Sequence, residues 1–88
     1  MSDRFRRDTT LPFQEIQGQA VIVVPARREL HELDEAASFL WRQLAAARSV
    51  PDLVAALCGE FEVEADAAES DVRDFLKELE GKGLVVRA

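Results

Sequence analysis

The chain has one cysteine, Cys58, one histidine, His31, and four glycines among its 88 residues. A lone cysteine excludes an intrachain disulfide, and with it a secreted scaffold stapled by such bonds. A lone histidine leaves no HExxH pair, and no serine elbow or cysteine pair stands near it. General acid–base work normally needs a second positioned group, so His31 reads as a surface or partly packed residue. The glycines make no phosphate-cradling loop. The longest apolar run, Ala20–Val24, is far too short to cross a bilayer. No apolar segment follows Arg4, Arg6 and Arg7 to complete a secretory signal, so the expected location is the cytoplasm. The expectation is no catalytic residue, no metal and no cofactor.

What is present is globular. Hydrophobic residues make up 48% and charged residues 32%, which is the balance of a folded domain. This length makes one small domain with a modest core. The formal charge is −6, which argues against nonspecific attachment to nucleic acid or an anionic membrane. Carboxylates crowd the stretch Glu60, Glu62, Glu64, Asp66, Glu69, Asp71 and Asp74. Their spacing lacks the alternating ligands and glycine turn of a calcium loop, so they read as a solvated acidic face.

Residues 1–10 are charged and without periodicity, and are expected to be a flexible arm. Residues 11–88 are expected to form the domain. Leu11–Gln17 reads as a first strand, Gly18 as the tight turn, and Ala20–Val24 as a covered central strand. Pro25 ends it by removing a ladder donor. Glu29–Leu33 returns as a third strand. Asp34 then caps a helix expected over Glu35–Ala47, with Ala37, Leu40, Trp41 and Leu44 on its apolar face. Phe39 and Ser38 fall off that stripe. Ser49-Val50-Pro51-Asp52 starts a second helix with a serine cap, a proline in the first turn and an acid three residues on. Val54, Leu57, Cys58 and Phe61 share its face, so Cys58 reads as a small buried hydrophobe. Asp66 and Glu69 repeat the capping pattern, and Ala68, Val72, Phe75, Leu76 and Leu79 define a third helix. Gly83 is expected to end it in a left-handed cap with Leu84 packed back, and Val85-Val86 to be extended.

A single switch from strands to helices predicts an α+β fold. A three-stranded antiparallel sheet followed by three helices is like a winged helix-turn-helix. The third strand is short and charged, as an edge strand is. An edge can accept a strand from another chain, or from a second copy of itself, so both a monomer and an edge-paired homodimer stay open. A proline at His31 is expected to weaken such pairing if the His31 amide faces outward. The alternative is a winged-helix DNA-binding transcription regulator. Against it, the third helix sets Arg73, Lys77 and Lys82 among Glu69, Asp71, Asp74, Glu78 and Glu80, a face that would repel a duplex. A scaffolding subunit that touches no substrate is a third reading.

Several motifs occur in an order that resembles the PqqD family, the coenzyme PQQ synthesis protein D group, whose fold is called the RiPP recognition element. They are Gly18-Gln19-Ala20-Val21, Leu30-His31-Glu32-Leu33-Asp34, Phe39-Leu40-Trp41, Val50-Pro51-Asp52-Leu53, Asp71-Val72-Arg73-Asp74-Phe75-Leu76 and Gly83-Leu84. The family usually has asparagine where Asp34 stands, an aromatic near Leu30 and glycine near Ala37. The resemblance implies a noncatalytic peptide chaperone. Such a protein binds the leader of a ribosomally made precursor and presents it to a modifying enzyme, commonly a radical S-adenosylmethionine enzyme. It also implies a site. The leader would lie as an added strand along Glu29, Leu30, His31, Glu32 and Leu33, with Val72, Phe75, Leu76 and Leu79 as the wall of its pocket.

Overall fold

A computed structural model describes residues 3–88. Six strands and three helices follow one another: β1 (Arg4–Arg7), β2 (Phe13–Ile16), β3 (Gln19–Val24), β4 (Glu29–Glu32), α1 (Glu35–Gln43), β5 (Arg48–Ser49), α2 (Val50–Glu60), α3 (Ala65–Gly81) and β6 (Val85–Arg87). The predicted antiparallel sheet is β2-β3-β4, with β3 in the middle. Gln17 and Gly18 both take positive φ, 54° and 81°, in the tight turn between β2 and β3. That turn's backbone follows the right-handed twist of the strands it joins. After β3, Pro25–Arg27 make one turn of 3-10 helix, and Arg28 at φ 53° swings the chain back into β4.

Ala20, Ile22 and Val24 point into the core, against α1. The alternate residues Val21 and Val23 are half-buried on the other face. Trp41 from α1 is fully buried and meets Phe13 edge-on, ring centres 5.9 Å apart. Among the described residues its indole nitrogen has no hydrogen-bond partner, and the Arg7 guanidinium lies 5.8 Å from its ring centre.

Within the stretch expected to be an arm, Arg4–Arg7 are instead a strand. Residues 1 and 2 lie outside the described residues, but Arg4–Arg7 form the centre of a second sheet, β5-β1-β6. Phe5 is buried, and the Arg7 guanidinium lies 4.7 Å from the Phe13 ring centre. Two helix bounds also differ. The first helix stops at Gln43 instead of Ala47, because Arg48 and Ser49 are drawn into pairing with β1. The strand pairing prevails over the strong helix preference of Ala45–Ala47, alanine being the best helix former. The third begins at Ala65, with Glu64 at the cap position making no side-chain cap bond, so Asp66 sits within the first turn.

The other ends follow their signals. Asp34 accepts from the Ala37 amide at 2.8 Å. Ser49 and Asp52 form a reciprocal capping box at 3.2 and 3.0 Å. Gly83, at φ 75°, ends α3 in a Schellman motif. The Leu84 amide donates to the Leu79 carbonyl and the Gly83 amide to the Glu80 carbonyl, and Leu84 is fully buried. Leu53, outside the predicted stripe of α2, is buried with Leu57, while Val54, Cys58 and Phe61 are half-buried.

Candidate functional site: an open strand edge facing the last helix

Among the described residues β4 pairs with β3 on one side only. Its register sets Glu29 opposite Val24, Leu30 opposite Val23, His31 opposite Ile22 and Glu32 opposite Val21. The Leu33 amide donates to the Ala20 carbonyl at 2.9 Å. Amide direction alternates along a strand. The amides of His31 and Glu29 therefore face β3 with that of Leu33, while those of Leu30 and Glu32 face outward. The expectation of an outward donor at His31 is corrected by one residue. A proline there would cut the sheet's own ladder, and the donors available to a visitor belong to Leu30 and Glu32.

Side chains sort by the same alternation. His31 shares the core-facing side of the sheet with Ile22, and its Nε2 lies 3.2 Å from the Glu29 carboxylate, which also meets Arg27 at 3.5 Å. Leu30 is 68% exposed on the other side, although large and apolar.

Between β4 and α3 runs a groove of about 300 Å³. Leu30, His31, Glu32 and Leu33 line one wall, and Phe75, Glu78, Leu79 and Lys82 the other. Of the four apolar residues that the resemblance placed on this wall, Phe75 and Leu79 reach it. Val72 is fully buried, and Leu76 lines a separate hollow beside Phe5 and Val50 on the far side of α3. Glu29 stands at the start of β4, outside the lining. Asp34, Ala37, Glu78 and Lys82 were missed by sequence reasoning. Glu78 and Lys82 do carry a signal, since they continue the Phe75 side of the helix at the three- and four-residue spacing.

Two contacts set the width of this groove. At one end the Arg27 guanidinium donates to the Lys82 carbonyl at 2.7 Å, tying the turn before β4 to the end of α3. At the other end stands Ser38, fully buried in α1 rather than off its packed face. Its Oγ accepts from the Ala20 amide at 2.7 Å and donates to the Leu33 carbonyl at 3.2 Å. A hydroxyl so placed bridges the Ala20 amide to the Leu33 carbonyl, while the Leu33 amide still donates directly to the Ala20 carbonyl. It lets β4 leave the sheet and turn into α1 without a buried amide going unpaired.

No cysteine among the described residues lines the groove. Among the described residues, no group of three His, Cys, Asp or Glu side chains is arranged to hold a metal. No helix among them is long and apolar enough to cross a membrane. The arrangement can offer backbone donors and acceptors, a partly apolar wall and charged rims.

Two solved structures share this architecture. TbiB1, in complex with the TbiA(beta) leader peptide, superposes with a TM-score of 0.81 at 26% identity, over 91% of this chain and 93% of its own. A lasso peptide synthetase B1, complexed with the leader peptide, superposes with a TM-score of 0.80 at 23% identity, over 93% and 96%, a likeness of fold. No curated protein matches the sequence significantly. The family model described as coenzyme PQQ synthesis protein D matches residues 19–85, a span from the start of β3 to the start of β6. That span holds the open edge, α3 and the groove between them, and on it the chain belongs to the PqqD family.

Proposed function

We propose that this protein is a noncatalytic peptide chaperone, a RiPP recognition element that takes the leader of a ribosomally made precursor as a strand beside β4. The observation that carries the reading is the unpaired edge of β4 facing α3 across an open groove. Backbone hydrogen bonds to Leu30 and Glu32 would supply affinity, and side chains seated against Phe75 and Leu79 would supply selection. Val72 and Leu76 would support that wall from behind. That TbiB1, alike in fold at 26% identity, is in complex with the TbiA(beta) leader peptide supports a leader peptide as the ligand here. The bound precursor would then be presented to a modifying enzyme, a radical S-adenosylmethionine enzyme in the family's usual pairing, within the cytoplasm.

The test is a titration of labelled protein with leader peptides encoded beside its gene, followed by amide shifts. Shifts are expected along Glu29–Leu33 and on the Phe75–Lys82 side of α3. Shifts that spare both would overturn the docking. Glu32→Pro removes one outward donor and is expected to weaken binding about fivefold, the worth of one backbone hydrogen bond. His31→Pro is expected instead to destabilise the sheet, seen as lower unfolding resistance before any peptide is added.

A further inference from the structure

The groove beside β4 does not end at Glu32. Past the start of α1 it adjoins a second, open hollow of about 310 Å³ bordered by α1, α2 and α3. Asp34, Ala37, Phe75 and Glu78 line both, so the two are one channel. The second hollow has a different chemistry. Its floor is apolar, made by Ala37, Leu40, Leu57 and Phe75. Its rim carries the carboxylates of Asp34, Asp71, Asp74 and Glu78. Asp71, Asp74 and Glu78 recur on α3 at intervals of three and four, which stacks them on one side of the helix. Glu78 is paired with Lys82 at 3.0 Å. Among the described residues no cationic group lies within ion-pair distance of Asp34, Asp71 or Asp74.

An apolar floor beneath the carboxylates of Asp71 and Asp74 fits a long aliphatic stem with a cationic head. We propose that the leader bound at β4 continues into this hollow and seats a lysine or arginine there. The stem lies on Leu40 and Phe75, and the head meets Asp71 and Asp74. The inference rests on the strand-addition reading and adds a charge requirement to it: a basic residue flanking the segment that pairs with β4. Negative charge along the channel also raises the encounter rate with a basic leader.

The probe is a displayed library of random twelve-residue peptides, selected on the full chain and on Asp71→Asn/Asp74→Asn. The unmodified chain is expected to enrich peptides with an apolar core and one lysine or arginine to one side. The double variant is expected to keep the apolar preference and lose the basic one. A selected peptide should bind the double variant about fivefold more weakly, since exposed ion pairs are individually modest. The same peptide with norleucine at the basic position should bind both proteins alike. The fivefold gap should shrink with added salt. Apolar-core peptides with no basic enrichment on the unmodified chain would overturn the cationic subsite and leave strand addition standing. Selected peptides that bind Glu32→Pro as tightly as the unmodified chain would overturn both.

Discussion

The two sheets are built on opposite plans. In β2-β3-β4 each strand pairs with its neighbour in sequence through a tight turn, and the last strand is left open on one side. In β5-β1-β6 the central strand comes from the start of the chain, and its partners arrive from positions 48–49 and 85–87. The first is a local structure with an unused edge. The second is a clasp that gathers both chain ends and the entry to α2. Arg87 reinforces it by stacking 5.1 Å from the centre of Phe5 and pairing with Glu80 and Asp3 at 2.9 and 2.7 Å. Glu80 beside it raises the guanidinium pKa further. The difference teaches a division of labour. Remote pairing fixes the helices, so the local sheet can leave main-chain groups unspent.

Breaking the clasp should produce the largest effect. Phe5→Ala removes a buried ring and is expected to cost about 3–5 kcal/mol, measured by chemical denaturation. Its amide-exchange signature should appear in β6 and at the start of α2 before it appears in β3. Equal loss of protection everywhere would mean that the clasp has no separate identity.

Ser38→Ala sharpens the comparison from the other side. It leaves the buried Ala20 amide without its acceptor and should cost about 1–3 kcal/mol. The shift changes should gather at Ala20, Leu33 and the head of the groove, with β1 and β6 unmoved. A neutral substitution would mean that Ala20 and Leu33 can close on each other.

A smaller effect should come from acid. The Ser49 backbone amide, and then its hydroxyl, hold the Asp52 carboxyl below its usual range. Asp8 is lowered likewise by the Thr10 hydroxyl and amide. A depressed carboxylate contributes stability that is complete above its unfolded pKa and is lost as pH falls through its folded one. Stability should therefore decline on the acid side of the ordinary aspartate range, and less steeply in Asp52→Asn. Parallel curves for the two proteins would remove Asp52 from the account.

The smallest effect concerns the local sheet. Gln17 takes positive φ, which asparagine tolerates better, so Gln17→Asn should stabilise the hairpin by roughly 0.5 kcal/mol. A lower melting temperature would show that the Gln17 side chain has a use in the turn.

These elements also differ in how plainly the sequence announces them. The hairpins, the Ser49–Asp52 box and the Gly83–Leu84 ending are written in neighbouring residues, and each could be placed before any coordinates. The open edge was legible for the same reason, being short and charged. β1 was not, because Arg4–Arg7 has no alternation of its own and is a strand only by virtue of residues some 40 and 80 positions away. Ser38 hid in the same manner. Nothing near it in sequence reveals that its hydroxyl meets Ala20. The direction of the His31 amide hung on where the ladder begins, which pattern alone leaves free by one residue. Channel carboxylates were visible as charges but not as a set, since Asp34 joins Asp71 and Asp74 only through tertiary packing.

The tie between Arg27 and Lys82 has a consequence for how such a protein can diversify. Arg27 grips a carbonyl, an atom that every amino acid supplies, so the identity of residue 82 is irrelevant to the grip. The side chain at 82 borders the channel, where it pairs with Glu78, so a change there alters the channel's charge and not the grip. Position 82 could thus be exchanged while the frame stays braced, so long as the arginine is kept.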